Sequence, residues 1–197
     1  MPRLVCKGLR RRPFFEGRGL VLEAGEAVVM AGPSGSGKSL FLRALADLDP
    51  HEAGEVVLDG RPRDAFPPEV WRARVLYVHQ SGVRLPGTVR TNLDAVGGLR
   101  VRGEGAAPLP SVPGLRDEQD AERLSGGEAQ ALALHRALAC RPRVLLLDEA
   151  TSAMDPDRAA FWEGRVRAYL EGGGSVLWVS HDPTLADRLG ARRERFG

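Results

Sequence analysis

An α/β fold built on a parallel β-sheet is the fold class that this sequence predicts, and three observations lead to it. A short apolar run at Ala27–Ala31 is followed by a glycine-rich stretch and then by apolar residues at helical spacing from Leu40 to Leu48. A second apolar run, Val144–Leu147, ends in two carboxylic acids. That run is typical of a strand covered on both faces, as in parallel sheets. Two further runs, Val75–Val78 and Ser175–Val179, are also predicted to be strands, the first of them in the central sheet.

The glycine-rich stretch matches the pattern G-x-x-x-x-G-K-[ST], which cradles phosphate groups. Glycine lets the backbone approach a triphosphate closely, and the helix that follows presents free N–H groups to negative charge. Lys38 is predicted to contact the β- and γ-phosphates, and the Ser39 hydroxyl to be a ligand of Mg²⁺. A Gly-Ser linker could match by chance, but the flanking strand and helix argue against it. The predicted phosphate-binding residues are Gly32, Pro33, Ser34, Gly35, Ser36, Gly37, Lys38, Ser39 and Leu40.

Asp148 and Glu149 follow the apolar run directly, at the carboxyl end of its predicted strand. Ligands of open α/β sheets bind at this end of the strands. We therefore expect Asp148 to hold Mg²⁺ through water, and Glu149 to act as the general base that polarises the attacking water. The alternative is a solvated turn, which the phosphate-binding loop upstream disfavours.

A third motif, Leu124-Ser125-Gly126-Gly127-Glu128, precedes a helical run. Ser125 suits the N-cap position and Glu128 lies three residues later, as in a capping box. A well-capped helix is therefore one interpretation. The start of a helix that carries a serine and two glycines is also a second anion site. Such a site has no evident use within one subunit whose phosphates are already held.

These motifs, in this order, give the chain a resemblance to the ATP-binding cassette (ABC) ATPases over nearly its whole length. The resemblance implies a P-loop NTPase fold, with a RecA-like core sheet, an N-terminal antiparallel β subdomain and an inserted helical subdomain. It implies that ATP and Mg²⁺ bind. It also implies a head-to-tail homodimer, in which the third motif of one subunit covers the γ-phosphate bound to the other; that motif supplies Ser125, Gly126, Gly127 and Glu128.

Three single residues match further motifs of the same family. Gln80 matches the Q-loop glutamine, which implies that it senses Mg²⁺ and water and touches a membrane partner. Asp155 matches the D-loop, which implies communication across the dimer, and His181 matches the switch histidine, which implies contact with the γ-phosphate. Taken singly, each could be an ordinary surface residue. The resemblance thus assigns catalysis to Glu149, His181 and Gln80, and Mg²⁺ to Ser39, Gln80 and Asp148.

The subtype rests on two stretches. The segment Gln80–Leu93 looks like the Q-loop region of exporter-type subunits. With Trp178–Asp182 and the short length, the chain is most similar to the small FetA (YbbL)-type subunits, a group linked to iron or metal export. This implies an ATPase that powers transport through a separate transmembrane permease, while no residue identifies the cargo.

We expect one ABC ATPase domain over residues 1–197, with residues 1–80 and 141–197 as the ATP-binding core and residues 81–140 as the helical subdomain. The glycine- and proline-rich segment 102–114 is predicted to be a mobile loop. The other expected elements are a β-rich piece over 3–22, a strand over 54–60, and helices over 67–74, 156–171 and 184–189.

Two departures from the family concern the nucleotide and the third motif. The family usually has an adenine-stacking aromatic residue where this chain has Leu9–Arg12. Phe14 and Phe15 lie slightly later and could belong to the core, and an arginine plane could stack on the base instead. After the third motif the family often reads K-Q-R, where this chain has Ala129, Gln130 and Ala131.

The composition limits the remaining function classes. The net charge is +2, so we expect no strong electrostatic attraction of this chain to nucleic acid. Two cysteines without metal-ligand spacing indicate free thiols in a reducing compartment. There is no secretory signal and no apolar run of the ~18 residues that cross a bilayer. We therefore expect a cytoplasmic subunit, peripheral at the inner face of the membrane.

Three alternatives to these assignments remain open. One is an ABC ATPase in DNA repair or translation, and another is a P-loop small-molecule kinase, which leaves residues 124–128 unexplained. The third concerns the tryptophans, Trp71, Trp162 and Trp178, which could form a ligand stack, although their spacing favours packing in the core.

Overall fold

The computed structural model describes residues 2–97 and 108–197, and its strands form two sheets. One is antiparallel, with the order β2-β1-β4-β5, and the other is parallel, with the order β6-β7-β8-β3-β9. The strands are β1 (Pro2–Arg11), β2 (Phe15–Glu23), β3 (Ala27–Ala31), β4 (Ala53–Leu58), β5 (Arg61–Pro62), β6 (Val75–Val78), β7 (Val144–Asp148), β8 (Ser175–Val179) and β9 (Arg192–Arg195).

Helices cover both faces of the parallel sheet, so every residue of β7 and β8 is buried, and all of them except Asp148 and Ser175 are apolar. One buried cluster joins the antiparallel sheet and α1 to the parallel sheet, and the other joins α4 and α5 to it. The α-helices of the described residues are α1 (Lys38–Leu45), α2 (Pro68–Arg74), α3 (Val89–Gly97), α4 (Gly126–Ala139), α5 (Pro156–Glu171) and α6 (Leu185–Leu189). None of them has both the length and the apolar composition that a membrane crossing requires.

The predicted α/β class with a parallel sheet is confirmed, and several bounds agree to the residue. The first helix is the main difference, because it covers Lys38–Leu45 rather than residues 40–48. It ends early because the chain turns at Asp47, where φ is +58°. The three tryptophans are each at most 1% exposed, so they belong to the core and form no ligand stack.

Two predictions of domain organisation, the bounds of the helical subdomain and the mobile loop, stay predictions. The helices α3 and α4 lie within residues 81–140, but the boundaries of the helical subdomain stay predictions. Of the predicted loop over 102–114, residues 102–107 lie outside the described residues, and 108–114 contain neither helix nor strand.

The strand β9 was not predicted. It pairs in parallel with β3 at the edge of the sheet, and its sequence is three arginines and a glutamate. Phe196, which follows it, is buried between Phe15 and Phe41. This contact anchors the end of the chain beside the phosphate-binding loop.

Candidate active site

The predicted site residues follow four neighbouring strands of the parallel sheet. Gly32 begins the loop after β3, Gln80 lies after β6, Glu149 after β7 and His181 after β8. The carboxyl ends of parallel strands meet at one edge of a sheet, so these loops share that edge. The topology thus collects at one edge residues that are more than 100 positions apart in the chain.

The phosphate-binding loop has the backbone that its glycines predict. Gly35 and Gly37 have φ of +75° and +96°, which residues with a Cβ rarely adopt. A Cβ on Gly32 would lie 2.2 Å from the carbonyl oxygen of Phe196. The loop therefore needs glycine for its own geometry and for the close approach of the C-terminal segment.

Two polar groups of this loop fit a polyphosphate. The Lys38 ammonium donates to the carbonyl oxygens of Gly32 and Pro33, at 2.8 and 2.7 Å, so it is held inside the loop that opens α1. The buried hydroxyl oxygen of Ser36 has no hydrogen-bond partner among the residues that the structure describes. A buried polar atom without a partner is costly, and a phosphate oxygen would satisfy this one. The donor set is therefore suited to a polyphosphate anion.

Asp148 is 3% exposed and accepts a hydrogen bond of 2.8 Å from the hydroxyl of Tyr77. Burial and the negative charge of Asp148 raise the pKa of Tyr77, so its hydroxyl stays protonated and donates. Tyr77 was not predicted, because nothing local in the sequence pairs two residues on adjacent strands.

Among the described residues, no group of three His, Cys, Asp or Glu side chains is placed to hold a metal ion alone. A magnesium ion that keeps waters and takes ligands from substrate phosphates needs only one or two protein oxygens. The carboxylate of Asp148 and the hydroxyl of Ser39 fit that role, as hard oxygen donors at the strand end and at the start of α1.

Glu149 and His181, two of the predicted catalytic residues, contact each other directly. Nε2 of His181 lies 3.2 Å from Oε1 of Glu149, and the two side chains are 49% and 19% exposed. Glu149 has a φ of +47°, and its N–H donates to the carbonyl oxygen of Val179. The carboxylate is thus carried on a strained backbone at the end of β7 and faces the loop after β8.

The capping box predicted at the start of α4 is confirmed. The Ser125 hydroxyl oxygen accepts from the N–H of Glu128, and Glu128 Oε2 accepts from the N–H of Ser125 at 2.9 Å. The hydrogen bond from the Ser125 N–H is the main reason why the pKa of Glu128 is lowered. Within the part of the chain that the structure describes, no hydrogen bond joins this cap to the phosphate-binding loop.

Asp155 has a similar role at the start of α5, where its side chain accepts from the N–H of Arg158. Gln80 is exposed, and its backbone carbonyl oxygen accepts from the side chain of Gln130 at 2.8 Å. The structure thus places Asp155 and Ser125 at exposed helix starts, and within the described residues neither side chain forms a hydrogen bond with Glu149 or His181.

A cavity of about 480 Å³ lies beside the phosphate-binding loop, lined by Ser36 and by both candidate phenylalanines. Phe15 is 7% exposed and belongs to the core, whereas Phe14 is 43% exposed. A Cβ on Gly37 would lie 2.9 Å from the Cβ of Phe14, so this phenylalanine sits directly against the loop. Its open ring next to the phosphate site is the kind of surface on which a base stacks.

A glycine-rich loop between β3 and α1, with a carboxylate at the end of β7, two strands away in the same parallel sheet, defines the P-loop NTPase class. Within that class, the model of the family described as ABC transporter matches residues 16–152. The chain belongs to the ABC transporter family.

Curated relatives agree with this assignment. The Fe(3+) ions import ATP-binding protein FbpC of Streptomyces avermitilis is 40% identical over 176 residues, which are 83% of this chain and 51% of that protein. The "Probable iron export ATP-binding protein FetA" of Escherichia coli K12 is 34% identical over 172 residues, 82% of this chain and 75% of that protein. The chain spans about half the length of FbpC and of the other import proteins it matches first.

Solved structures confirm the predicted P-loop NTPase fold. The ATP-binding subunit of an ABC transporter has a TM-score of 0.80 at 21% identity, over 94% of this chain and 82% of its own. A dimeric ATP-binding cassette in a post-hydrolysis state has a TM-score of 0.80 at 24% identity, over 98% of this chain and 94% of its own.

Proposed function

We propose that this chain hydrolyses ATP and thereby powers an ABC transporter. The observation that carries the proposal is the shared edge of the sheet, where Glu149 and His181 lie 3.2 Å apart beside a loop whose polar groups fit a polyphosphate. The capped start of α4 at Ser125 is a second predicted anion site, separate from the phosphate-binding loop of the same chain.

Each residue at this edge has a defined task in the proposed reaction. Lys38 and the loop N–H groups bind the β- and γ-phosphates, which orients the terminal phosphoryl group. Glu149 accepts a proton from the attacking water, and His181 donates to the γ-phosphate. A bound Mg²⁺ would supply charge neutralisation of the phosphates, and Ser39, Asp148 and Gln80 would hold it.

We further propose that two copies close head to tail over two ATP molecules, so that Ser125 and Gly127 of each complete the site of the other. An isologous pairing makes both sites equivalent. ATP favours the closed pair and ADP does not, so hydrolysis reopens it. The exposure of Ser125 and Gly126 supports this arrangement, because the predicted anion site is open to a partner.

A cleft beside the loop after β6 is suited to the membrane-spanning partner. Its volume is about 430 Å³, and Leu48 and Val83 in its wall are 44% and 56% exposed. Apolar side chains exposed together mark interaction surfaces, and Gln80 lies in the adjoining loop. We propose that a separate permease docks here, which places the subunit at the inner face of the membrane. Similarity to FetA supports iron or metal export as its task.

Phosphate release from ATP, without any added acceptor, tests the proposed function. We expect release that requires Mg²⁺, stops with a chelator and rises with the square of the protein concentration while the pair is a minor species. Release that needs a second substrate would indicate a kinase instead. Copurification with ribosomes or DNA, rather than with a multi-span membrane protein, would contradict the transport role.

For Phe14→Ala we expect the KM for ATP to rise by about 5- to 100-fold with kcat unchanged, the effect of losing one base–aromatic stack. Phe161→Ala is the matched control, because this phenylalanine is 45% exposed on α5, away from the cavity. Steady-state kinetics with ATP measure both variants. An unchanged KM for Phe14→Ala would exclude Phe14 as the surface that holds adenine.

A further inference from the structure

Gln130 is a buried polar residue that the assigned reaction does not use. It lies in α4, one turn after the cap, and is 2% exposed. Its side-chain Nε2 donates to the carbonyl oxygens of Gln80 and Glu149, at 2.8 and 3.1 Å. Its Oε1 accepts from the N–H of Ala153 at 3.0 Å, and Ser152 Oγ lies 3.3 Å from Nε2. One amide group is therefore bonded to two separate loops, the one after β6 and the one after β7.

The packing around Gln130 shows why one side chain can reach both loops. A Cβ on Gly82 would lie 2.4 Å from the backbone of Ala129, so the loop after β6 lies directly on α4. A Cβ on Gly127 would lie 2.7 Å from the carbonyl oxygen of Ala153, so the segment after β7 lies on the start of the same helix. Gln130 lies on α4 between the loop after β6 and the segment after β7.

The bond to Glu149 has a particular consequence. Glu149 has a φ of +47°, a conformation that a non-glycine residue keeps only when its surroundings hold it. Its N–H donates to the carbonyl oxygen of Val179, and its own carbonyl oxygen accepts from Gln130 and from the N–H of Ser152, so both backbone polar groups are held. Two carbonyl oxygens and one N–H also fix the orientation of the Gln130 amide, because its nitrogen must face the carbonyls.

We propose that Gln130 is a positioning residue for hydrolysis, which holds the backbone of Glu149 in register with Gln80 and with the 152–153 segment. The inference rests on the proposed function, because Glu149 acts there as the base. Gln130 reaches no phosphate-binding residue among those the structure describes, so it affects the chemical step and leaves ATP binding unchanged. Gln130 also connects Glu149, the base of one ATP site, to α4, whose capped start at Ser125 completes the second ATP site of the proposed dimer.

The test compares Gln130→Met, which keeps the length and removes the polar atoms, with Leu134→Val on the same helix. Leu134 is fully buried in the apolar core one turn later, so its variant reports the effect of weakened packing alone. We expect Gln130→Met to lower kcat by about 10- to 100-fold, as a misplaced catalytic group does, with the ATP Kd within about 3-fold of the wild type. If Gln130→Met does not fold, Gln130→Asn replaces it, because asparagine keeps the amide but is too short to bond to both loops. We expect the same decrease in kcat for this variant.

Amide hydrogen exchange of the nucleotide-free chain provides a second readout. In Gln130→Met we expect exchange in residues 80–83 and 149–153 to be about 3- to 10-fold faster, while α5 is unchanged. Wild-type kcat in both Gln130 variants would overturn the proposal. A parallel loss of kcat and ATP affinity, with faster exchange throughout α4, would overturn it too, since that is the effect of a purely structural residue. Full turnover by Glu149→Gln would instead refute the role of Glu149 as the base, and a wild-type chain that releases no phosphate from ATP would refute the proposed function.

Discussion

Glu149→Gln is expected to bind ATP normally and to hydrolyse it about 100- to 10,000-fold more slowly, the range that a positioned general base contributes. Glutamine keeps the size of the side chain and the backbone contacts with Val179 and Gln130, but it cannot accept the proton of the attacking water. Because ATP then stays intact, the variant should also accumulate as an ATP-bound dimer, which the wild type forms only transiently.

Single-turnover phosphate release and size-exclusion chromatography with Mg²⁺ and ATP measure these two effects. Glu171→Gln is the matched control, because this glutamate is exposed at the end of α5 and is remote from the site. We expect it to hydrolyse ATP at the wild-type rate and to remain monomeric on the column. Wild-type turnover by Glu149→Gln would refute the assignment of the base, whatever its oligomeric state.

The sequence predicted those parts of the site whose determinants are local. The capping box at Ser125 and Glu128 is confirmed, because both partners of each hydrogen bond lie within four residues. The strand–loop–helix order around Lys38 follows in the same way from glycine geometry and apolar spacing. The chemical roles of these residues stay predictions, since position alone does not test a role.

What the sequence did not reveal depends on contacts between distant segments. Tyr77 meets Asp148 across two paired strands, and the partners of Gln130 come from two loops 50 and about 20 positions away. The charged strand β9 has no apolar pattern to identify it, because an edge strand with exposed side chains gains its stability from pairing with β3. These features follow from the tertiary fold, so no local sequence pattern predicts them.

Two inactive variants, Lys38→Ala and Ser125→Ala, are expected to restore activity to each other when mixed. Lys38→Ala loses a charge-assisted contact to the phosphates, which weakens ATP binding by about 10- to 100-fold. Ser125→Ala keeps its own phosphate-binding loop but cannot complete the site of a partner. In a mixed pair, one site combines the intact Lys38 of one copy with the intact Ser125 of the other.

Random pairing in an equal mixture makes half of the dimers mixed, and each of these has one intact site. About a quarter of all sites should therefore hydrolyse ATP at the wild-type rate, an outcome that a head-to-tail arrangement allows and a self-contained site does not. Phosphate release by the mixture and by each variant alone measures the recovery. Mixing Lys38→Ala with the double variant Lys38→Ala/Ser125→Ala provides the control, since no intact site can form. Absence of recovery in the first mixture would mean that Ser125 does not act across the dimer.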